Sequence, residues 1–164
     1  MEYLEKIKSI KNLAKISQEL EKQGKIIVTT NGAYDILHVG HIRSLQEAKN
    51  QGDVLIVGVN SDKSVRQYKS LDRPINDESD RAELVSALNC VDYVFVFDDE
   101  NPIKFINIIK PNIHANSSDY GDDCVEKSTV EKAGGKIFLL KKYSEYSTTN
   151  TLNLILEKFC SLKK

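Results

Sequence analysis

The stretch Asn31-Gly32-Ala33-Tyr34-Asp35-Ile36-Leu37-His38-Val39-Gly40-His41 follows the apolar run Ile26-Ile27-Val28 and leads into a segment of helical periodicity. A strand, a tight turn and a helix start, in that order, gather unpaired backbone N–H groups and two imidazoles around one small volume. Such a volume suits a polyphosphate. Gly32 lets the backbone come close to a ligand, and Gly40 does the same at the first helical turn. His38 and His41 can donate hydrogen bonds to phosphate oxygens. The stretch therefore predicts nucleotide chemistry.

Working outward, strands alternate with helices. Upstream, Leu4, Ile7, Ile10, Leu13, Ile16 and Leu20 recur at helical spacing and stop at Gly24, a residue suited to a C-cap. Residues 1–24 read as a helical extension outside the nucleotide core, and 25–160 as the nucleotide domain. A strand over about 25–30 precedes the motif, and a helix from Gly40 to about Asn50 follows it, with Ile42, Leu45 and Ala48 facing inward. Val54 to Val59 has no polar alternation, the pattern of a parallel strand covered on both faces. Ser64 to Asn76 is polar and contains Lys69, Arg73 and Pro74, which predicts a mobile loop acting as a lid.

Downstream, the pattern predicts a helix over about 80–88 and a strand at Tyr93 to Phe97. Asn101-Pro102 then supplies an N-cap with proline at the first helical position. Ile113 to Ala115 and Ile137 to Leu140 read as strands four and five. A helix ends at Gly134-Gly135, and a last one spans about 149–159. The expected fold is α/β: a Rossmann-like, doubly wound sheet of five parallel strands, in one domain with an N-terminal helical extension. Ligands of such sheets sit beyond the carboxyl ends of the strands where strand order reverses.

Composition narrows the class. The chain has 164 residues and a formal net charge of −1, with both signs interspersed, so no surface for nucleic acid or membrane is expected. Its apolar runs are strand-length and too short to span a bilayer, and Glu2-Tyr3-Leu4-Glu5-Lys6 after Met1 lacks the apolar core of a signal peptide. Cys90, Cys124 and Cys160 are scattered, with no Cys-x-x-Cys pair, and read as incidental thiols in a reducing cytoplasm. His38, His41 and His114 are the three histidines, and none has cysteine or carboxylate pairs at ligand spacing, so no metal site is read. Neither Gly-x-x-x-x-Gly-Lys-Ser/Thr nor Gly-x-Gly-x-x-Gly occurs, which argues against P-loop and nicotinamide enzymes.

With its His-x-Gly-His after the first strand, the chain resembles the nucleotidyltransferase superfamily marked by that motif. It is most similar to the adenylyltransferase domain of ADP-heptose synthases. The shared blocks are Thr30-Asn31-Gly32 through His41, Gly52-Asp53 through Asn60-Ser61-Asp62, Arg73-Pro74-Ile75, Val91-Asp92-Tyr93 and Ser147-Thr148-Thr149. Those enzymes are often fused to a sugar kinase, for which 164 residues leave no room, so the resemblance implies a stand-alone transferase. Glycerol-phosphate cytidylyltransferases are the second branch, but their Arg-Thr-Glu-Gly-Ile is replaced by Lys142-Tyr143-Ser144-Glu145-Tyr146. A nucleotide-binding regulatory protein without turnover is the alternative from another class.

The resemblance implies transfer of AMP from ATP to a sugar 1-phosphate, with Mg²⁺ bridging the triphosphate, in a homodimer. His38, His41 and Lys69 take the catalytic contacts. Asn31, Gly32, Ala33, Tyr34, Gly40, Asp119, Ser147, Thr148 and Thr149 hold the nucleotide. Asp35, Asn60, Asp62 and Arg73 fall to the sugar phosphate. Asp35 also suits a turn-fixing role, and the three hydroxyl residues suit capping of the last helix. Where the family carries Lys-Gly-Gly-Asp-Tyr after strand four, this chain has Asn116-Ser117-Ser118-Asp119-Tyr120.

Overall fold

In the computed structural model, which describes residues 1–118, 121, 124–143 and 145–160, five parallel strands form one sheet. They are β1 (Ile27–Gly32), β2 (Val54–Asn60), β3 (Tyr93–Phe97), β4 (Ile113–Ser117) and β5 (Lys136–Leu140), in the order β3-β2-β1-β4-β5. The chain thus winds outward from β1 to β3, then returns to the other side of β1 for β4 and β5. The order reverses between β1 and β4, and this is where a ligand crevice belongs.

Among the described residues seven helices accompany the strands, α1 before β1, α7 after β5 and the others between strands: α1 (Ile10–Lys22), α2 (Val39–Lys49), α3 (Asp62–Tyr68), α4 (Glu78–Ser86), α5 (Ile103–Ile109), α6 (Lys127–Lys132) and α7 (Thr148–Cys160). Alternate strand residues feed two cores. Val28, Leu55, Val57, Val59, Val94 and Ala115 pack with Leu45 and Ala48 of α2 and with Ala82 and Val85 of α4. Ile27, Val54, Ile56, Phe95 and Phe97 pack on the opposite face with Leu13 of α1, Phe105, Ile106 and Ile109 of α5, and Val130 of α6. Every residue of β2 is buried, which is why its sequence lacks alternation.

At the amino ends of the strands, side chains take up backbone amides that the ladder leaves over. Asp53 accepts from the Ile26 N–H at 2.7 Å, Asp92 from Leu55 at 2.7 Å, and Asn112 from Ile27 at 2.8 Å. Two of the blocks quoted above, Gly52-Asp53 and Val91-Asp92-Tyr93, thereby fix the sheet at the end away from the crevice.

Three expectations need correction. Ile42 on α2 is 42% exposed, and only Leu45 and Ala48 of the inward-facing set are buried. The polar segment from Ser64 is not a free loop: it starts inside α3, where Ser64 and Val65 are fully buried and the Ser61 hydroxyl accepts from the Ser64 N–H. Only residues 69–77 connect α3 to α4, the last of them the N-cap of α4. Pro102 is the N-cap of α5 rather than its first helical residue, and Asn101 Oδ1 accepts from the Ile103 N–H at 3.2 Å.

The N-terminal segment forms a 3₁₀ turn at Glu2–Lys6 followed by α1, with Gly24 at φ +68° just past the helix. Ile7 bridges Val94, and the Lys8 N–H donates to the Val94 carbonyl at 2.8 Å, so this segment shields the free edge of β3.

Gly135 opens β5 where an added Cβ would lie 2.4 Å from the Pro111 carbonyl oxygen. Backbone cannot yield as a side chain does, so Gly135→Ala is expected to destabilise the chain by about 1 to 3 kcal/mol. Denaturant unfolding checks it, and an unchanged midpoint would mean that the β4–β5 entry is looser than described.

Candidate active site

A cleft of about 810 Å³ opens at the carboxyl ends of β1, β2 and β4. The turn after β1 forms its floor. Tyr34 adopts a left-handed conformation, φ +51°, which turns its ring back over Gly32; a Cβ on Gly32 would lie 3.1 Å from that ring. Gly32 therefore makes room for the tyrosine ring, and it also lines the cleft. The Tyr34 ring is nearly buried and meets His41 edge-on at 5.3 Å.

His38 is the N-cap of α2. Its Nδ1 accepts from the His41 backbone N–H at 3.4 Å, while His41 Nδ1 accepts from the His38 backbone N–H at 3.3 Å. This is the reciprocal pattern of a capping box, with imidazoles in place of hydroxyl and carboxylate. The rings stack at 3.7 Å with 15° between planes. Because both Nδ1 atoms accept, each neutral ring carries its proton on Nε2, a hydrogen-bond donor that the cap leaves available. Gly40 is needed between them, since a Cβ there would lie 3.1 Å from His38 Nδ1 and 3.0 Å from Tyr146 Cβ.

Electrostatics keep the pair neutral. Burial, aided by the charge His38 would carry, pushes His41 down to about 4, and burial also lowers His38. His114, fully buried behind the cleft, is likewise lowered to about 4 by burial. The unfolded chain takes up protons at these rings near 6.5, whereas the fold holds His41 and His114 neutral to about 4. Their contribution to stability is therefore present in full above pH 6.5 and lost as pH falls from 6.5 toward 4. Ring-proton NMR titration should show both still neutral at pH 5.5, and a midpoint near 6.5 would contradict the described burial.

The other residues named from sequence divide into three groups. Asn31, Ala33, Lys69, Thr149 and Asn60 line the cleft, and Asn60 Nδ2 donates to Ser64 Oγ at 3.1 Å. Asp35, Arg73, Ser147 and Thr148 also line it but are engaged by the protein. Asp35, 2% exposed, accepts from Arg73 Nε, from the Ile75 N–H at 2.7 Å and from the Asn76 N–H at 3.1 Å. Ser147 Oγ accepts from the Asn150 N–H at 3.0 Å, and Thr148 Oγ1 donates to the Ile36 carbonyl at 3.4 Å, which ties the start of α7 to the motif turn. Asp62 lies outside the cleft lining and pairs with Arg81 Nη2 at 2.8 Å. Asp119 lies outside the described residues.

Sequence reasoning missed Arg81, Tyr146 and Glu126. Arg81 is fully buried and donates to the carbonyls of Ala33 and Asn76 as well as to Asp62, so it laces the motif turn to the 69–77 connection and to α3. Tyr146 stacks near His38 at 6.5 Å, beneath the Arg43 guanidinium at 5.3 Å. Glu126, 4% exposed, accepts from Asn116 Nδ2 on the cleft wall. A buried arginine or glutamate carries no periodic signal, since helical spacing reports apolar faces only.

A strand-order reversal, a helix N-terminus aimed into a cleft and a histidine pair poised as neutral donors define a nucleotidyltransferase-type α/β domain. The chain belongs to the cytidylyltransferase-like family, whose model matches residues 29–153. It is 44% identical over 155 residues to the bifunctional protein HldE of Geobacter metallireducens, covering 94% of this chain and 32% of that protein. It is 50% identical over 126 residues to the bifunctional protein HldE of a Nitratiruptor species, covering 77% and 27%. The chain thus spans about a third of the length of these curated relatives. The crystal structure of a lipopolysaccharide core biosynthesis protein from Thermoplasma volcanium superposes with a TM-score of 0.64 at 35% identity, covering 74% of this chain and all of that one. A pantoate–β-alanine ligase from Francisella tularensis, at 21% identity and a TM-score of 0.64 over 89% of this chain, shares the fold.

Proposed function

We propose that the chain transfers the AMP part of ATP to a sugar 1-phosphate, a heptose 1-phosphate being the best candidate, with release of pyrophosphate. The observation that carries this reading is the reciprocal His38–His41 cap, which fixes two neutral imidazoles as Nε2–H donors at the N-terminus of α2. Relatives at 39–50% identity named HldE and the Thermoplasma structure's title, which names lipopolysaccharide core biosynthesis, support the sugar branch.

A sugar phosphate is already anionic and attacks the α-phosphorus without a deprotonating base, so the task is alignment and relief of charge crowding. The Nε2–H groups donate to the transferring phosphoryl group and to the departing pyrophosphate, and the first N–H groups of α2 add to them. Lys69, over the Tyr68 ring at 5.6 Å, brings an ammonium to the sugar phosphate, whereas the charge of Arg73 is matched by Asp35. Mg²⁺, which favours phosphate oxygens and water over all-protein cages, would enter bound to ATP. When bound, that ion neutralises triphosphate oxygens and orients the chain of phosphates.

Asn31, Ala33 and Thr149, with the Asn116 wall, are assigned to the nucleotide. Asp119 and the acceptor role of Asn60 complete the proposed site. Among the described residues no helix is long and apolar enough to cross a membrane, and the buried free thiols Cys90 and Cys124 suit the cytoplasm. Leu154, Ile155, Leu156 and Phe159 stand exposed on α7 and support the homodimer, which light scattering on the purified chain tests.

Pyrophosphate release and product mass, measured with each nucleoside triphosphate against a panel of sugar and polyol phosphates, test the reaction. The expected pair is ATP with a heptose 1-phosphate or a close sugar 1-phosphate. Faster turnover of CTP with glycerol 3-phosphate would move the chain to the other branch of the family.

A further inference from the structure

On the reading that the cleft holds ATP, we propose that Glu126, steadied by Asn116 and backed by His114, is the acceptor that reads the ribose hydroxyls of the nucleotide.

The cluster begins inside the sheet. Thr29 of β1 and His114 of β4 are paired in register, and their side chains meet at 2.8 Å between Thr29 Oγ1 and His114 Nδ1. The other ring nitrogen, His114 Nε2, is fully buried and lacks a hydrogen-bond partner. It points to Glu126, whose Oε1 lies 3.7 Å away, and an orphaned buried polar atom of this kind calls for an explanation. Glu126 stands immediately before α6 and is nearly buried, yet it contributes to the cleft lining, as does Asn116.

Among the described residues the basic group in ion-pair range of Glu126 is His114, and burial keeps that ring neutral. A carboxylate so placed accepts about four hydrogen bonds and donates none. Asn116 supplies one donor to Oε1, and the Cys124 thiol beside them is a weak second donor. The remaining acceptor capacity faces a cleft in which phosphate is repelled and hydroxyl groups are welcome. That capacity borders the cleft, so a ligand that brings hydroxyl donors to it completes the site.

Topology selects the ribose. β4 lies beside β1, about 4.8 Å away in a sheet, so the ends of these strands place Glu126 one step across from the phosphate-binding turn. The group one step along a nucleotide from its α-phosphate is the sugar, and the base lies further on. A carboxylate at a strand end that accepts from ribose hydroxyls is a recurrent solution in dinucleotide-binding sheets. Asn116 fits this role where a lysine would not. An ammonium there would pair with Glu126 and consume its acceptors, whereas an amide orients the carboxylate and leaves capacity over.

The test is calorimetric binding to the full chain with Mg²⁺ and no sugar phosphate, using ATP, 2′-deoxyATP, 3′-deoxyATP and purine riboside triphosphate. Wild type should bind at least one deoxy analogue about tenfold more weakly than ATP. In Glu126→Ala, ATP should weaken about tenfold while the ratio of ATP to that analogue falls to about one. If Glu126→Ala does not fold, Glu126→Gln is read instead, and its ratio should fall at least threefold from wild type. A wild-type ratio retained in either variant overturns the assignment, as does a loss confined to purine riboside triphosphate, which would place the base at Glu126. Failure of wild type to bind ATP at all would remove the nucleotide reading itself, and the two failures are therefore distinct.

Discussion

Replacing His38 by serine is expected to lower turnover by about a hundredfold or more while leaving the fold close to wild type in stability. Serine at an N-cap accepts from the third N–H of the helix as well as the His38 ring does, so α2 keeps its start. What serine cannot replace is the Nε2–H donor, and loss of one donor to a developing oxyanion costs about 3 kcal/mol in the barrier. His38→Ala removes both roles and should add about 1 kcal/mol of destabilisation to the same loss of turnover. His41→Ala should match it in rate, because His41 supplies the other half of the reciprocal cap and the second donor. Pyrophosphate release measured beside thermal unfolding separates the two effects. A serine variant with near-normal turnover would take His38 out of the chemistry and leave it a capping residue.

Asp35→Ala is expected to cost about 3 to 5 kcal/mol of folding stability, the range for stripping one partner from a buried ion pair. Its carboxylate is buried and receives Arg73 and two backbone amides, from Ile75 and Asn76. Alanine leaves all of these without an acceptor, and the Arg73 side chain is itself only 14% exposed. The double variant Asp35→Ala/Arg73→Met removes the stranded charge together with the carboxylate and should recover a large part of the loss. Urea unfolding of the two variants decides the matter. Equal destabilisation in both would show that the backbone amides, not the ion pair, hold the 69–77 connection. In either case the 73–76 part of that connection is clasped to Asp35 at the cleft wall.

The alternation of strands and helices was readable because each strand is short, apolar and bounded by Gly, Asn or Asp, and because β2 is covered on both faces. The His-x-Gly-His turn was readable because two histidines and a glycine at a strand-to-helix junction form a local pattern. Three features were not readable, for separable reasons. Ile42 obeys helical spacing yet faces out, since periodicity gives a face and not what covers it. Ser64 and Val65 sit in a polar stretch that tertiary contacts make helical: the Ser61 cap and burial of Val65 outweigh weak local preference. Arg81 and Glu126 are charged residues in the interior, and their partners lie 5, 19 and 48 residues away for Arg81, and 10 and 12 residues away for Glu126.

By itself, the sequence determined the fold class and singled out a candidate site with candidate donors, because periodicity, turn chemistry and a short motif are local properties of the chain. Only the tertiary structure decided how those donors are presented. The protonated nitrogen of each histidine depends on a cap formed across three residues, and the availability of Asp35, Arg73 and Glu126 depends on partners that folding alone brings within hydrogen-bond reach. Charge and hydrogen bonding act over a few ångströms in space, and sequence spacing reports that distance only within a helix turn or a strand.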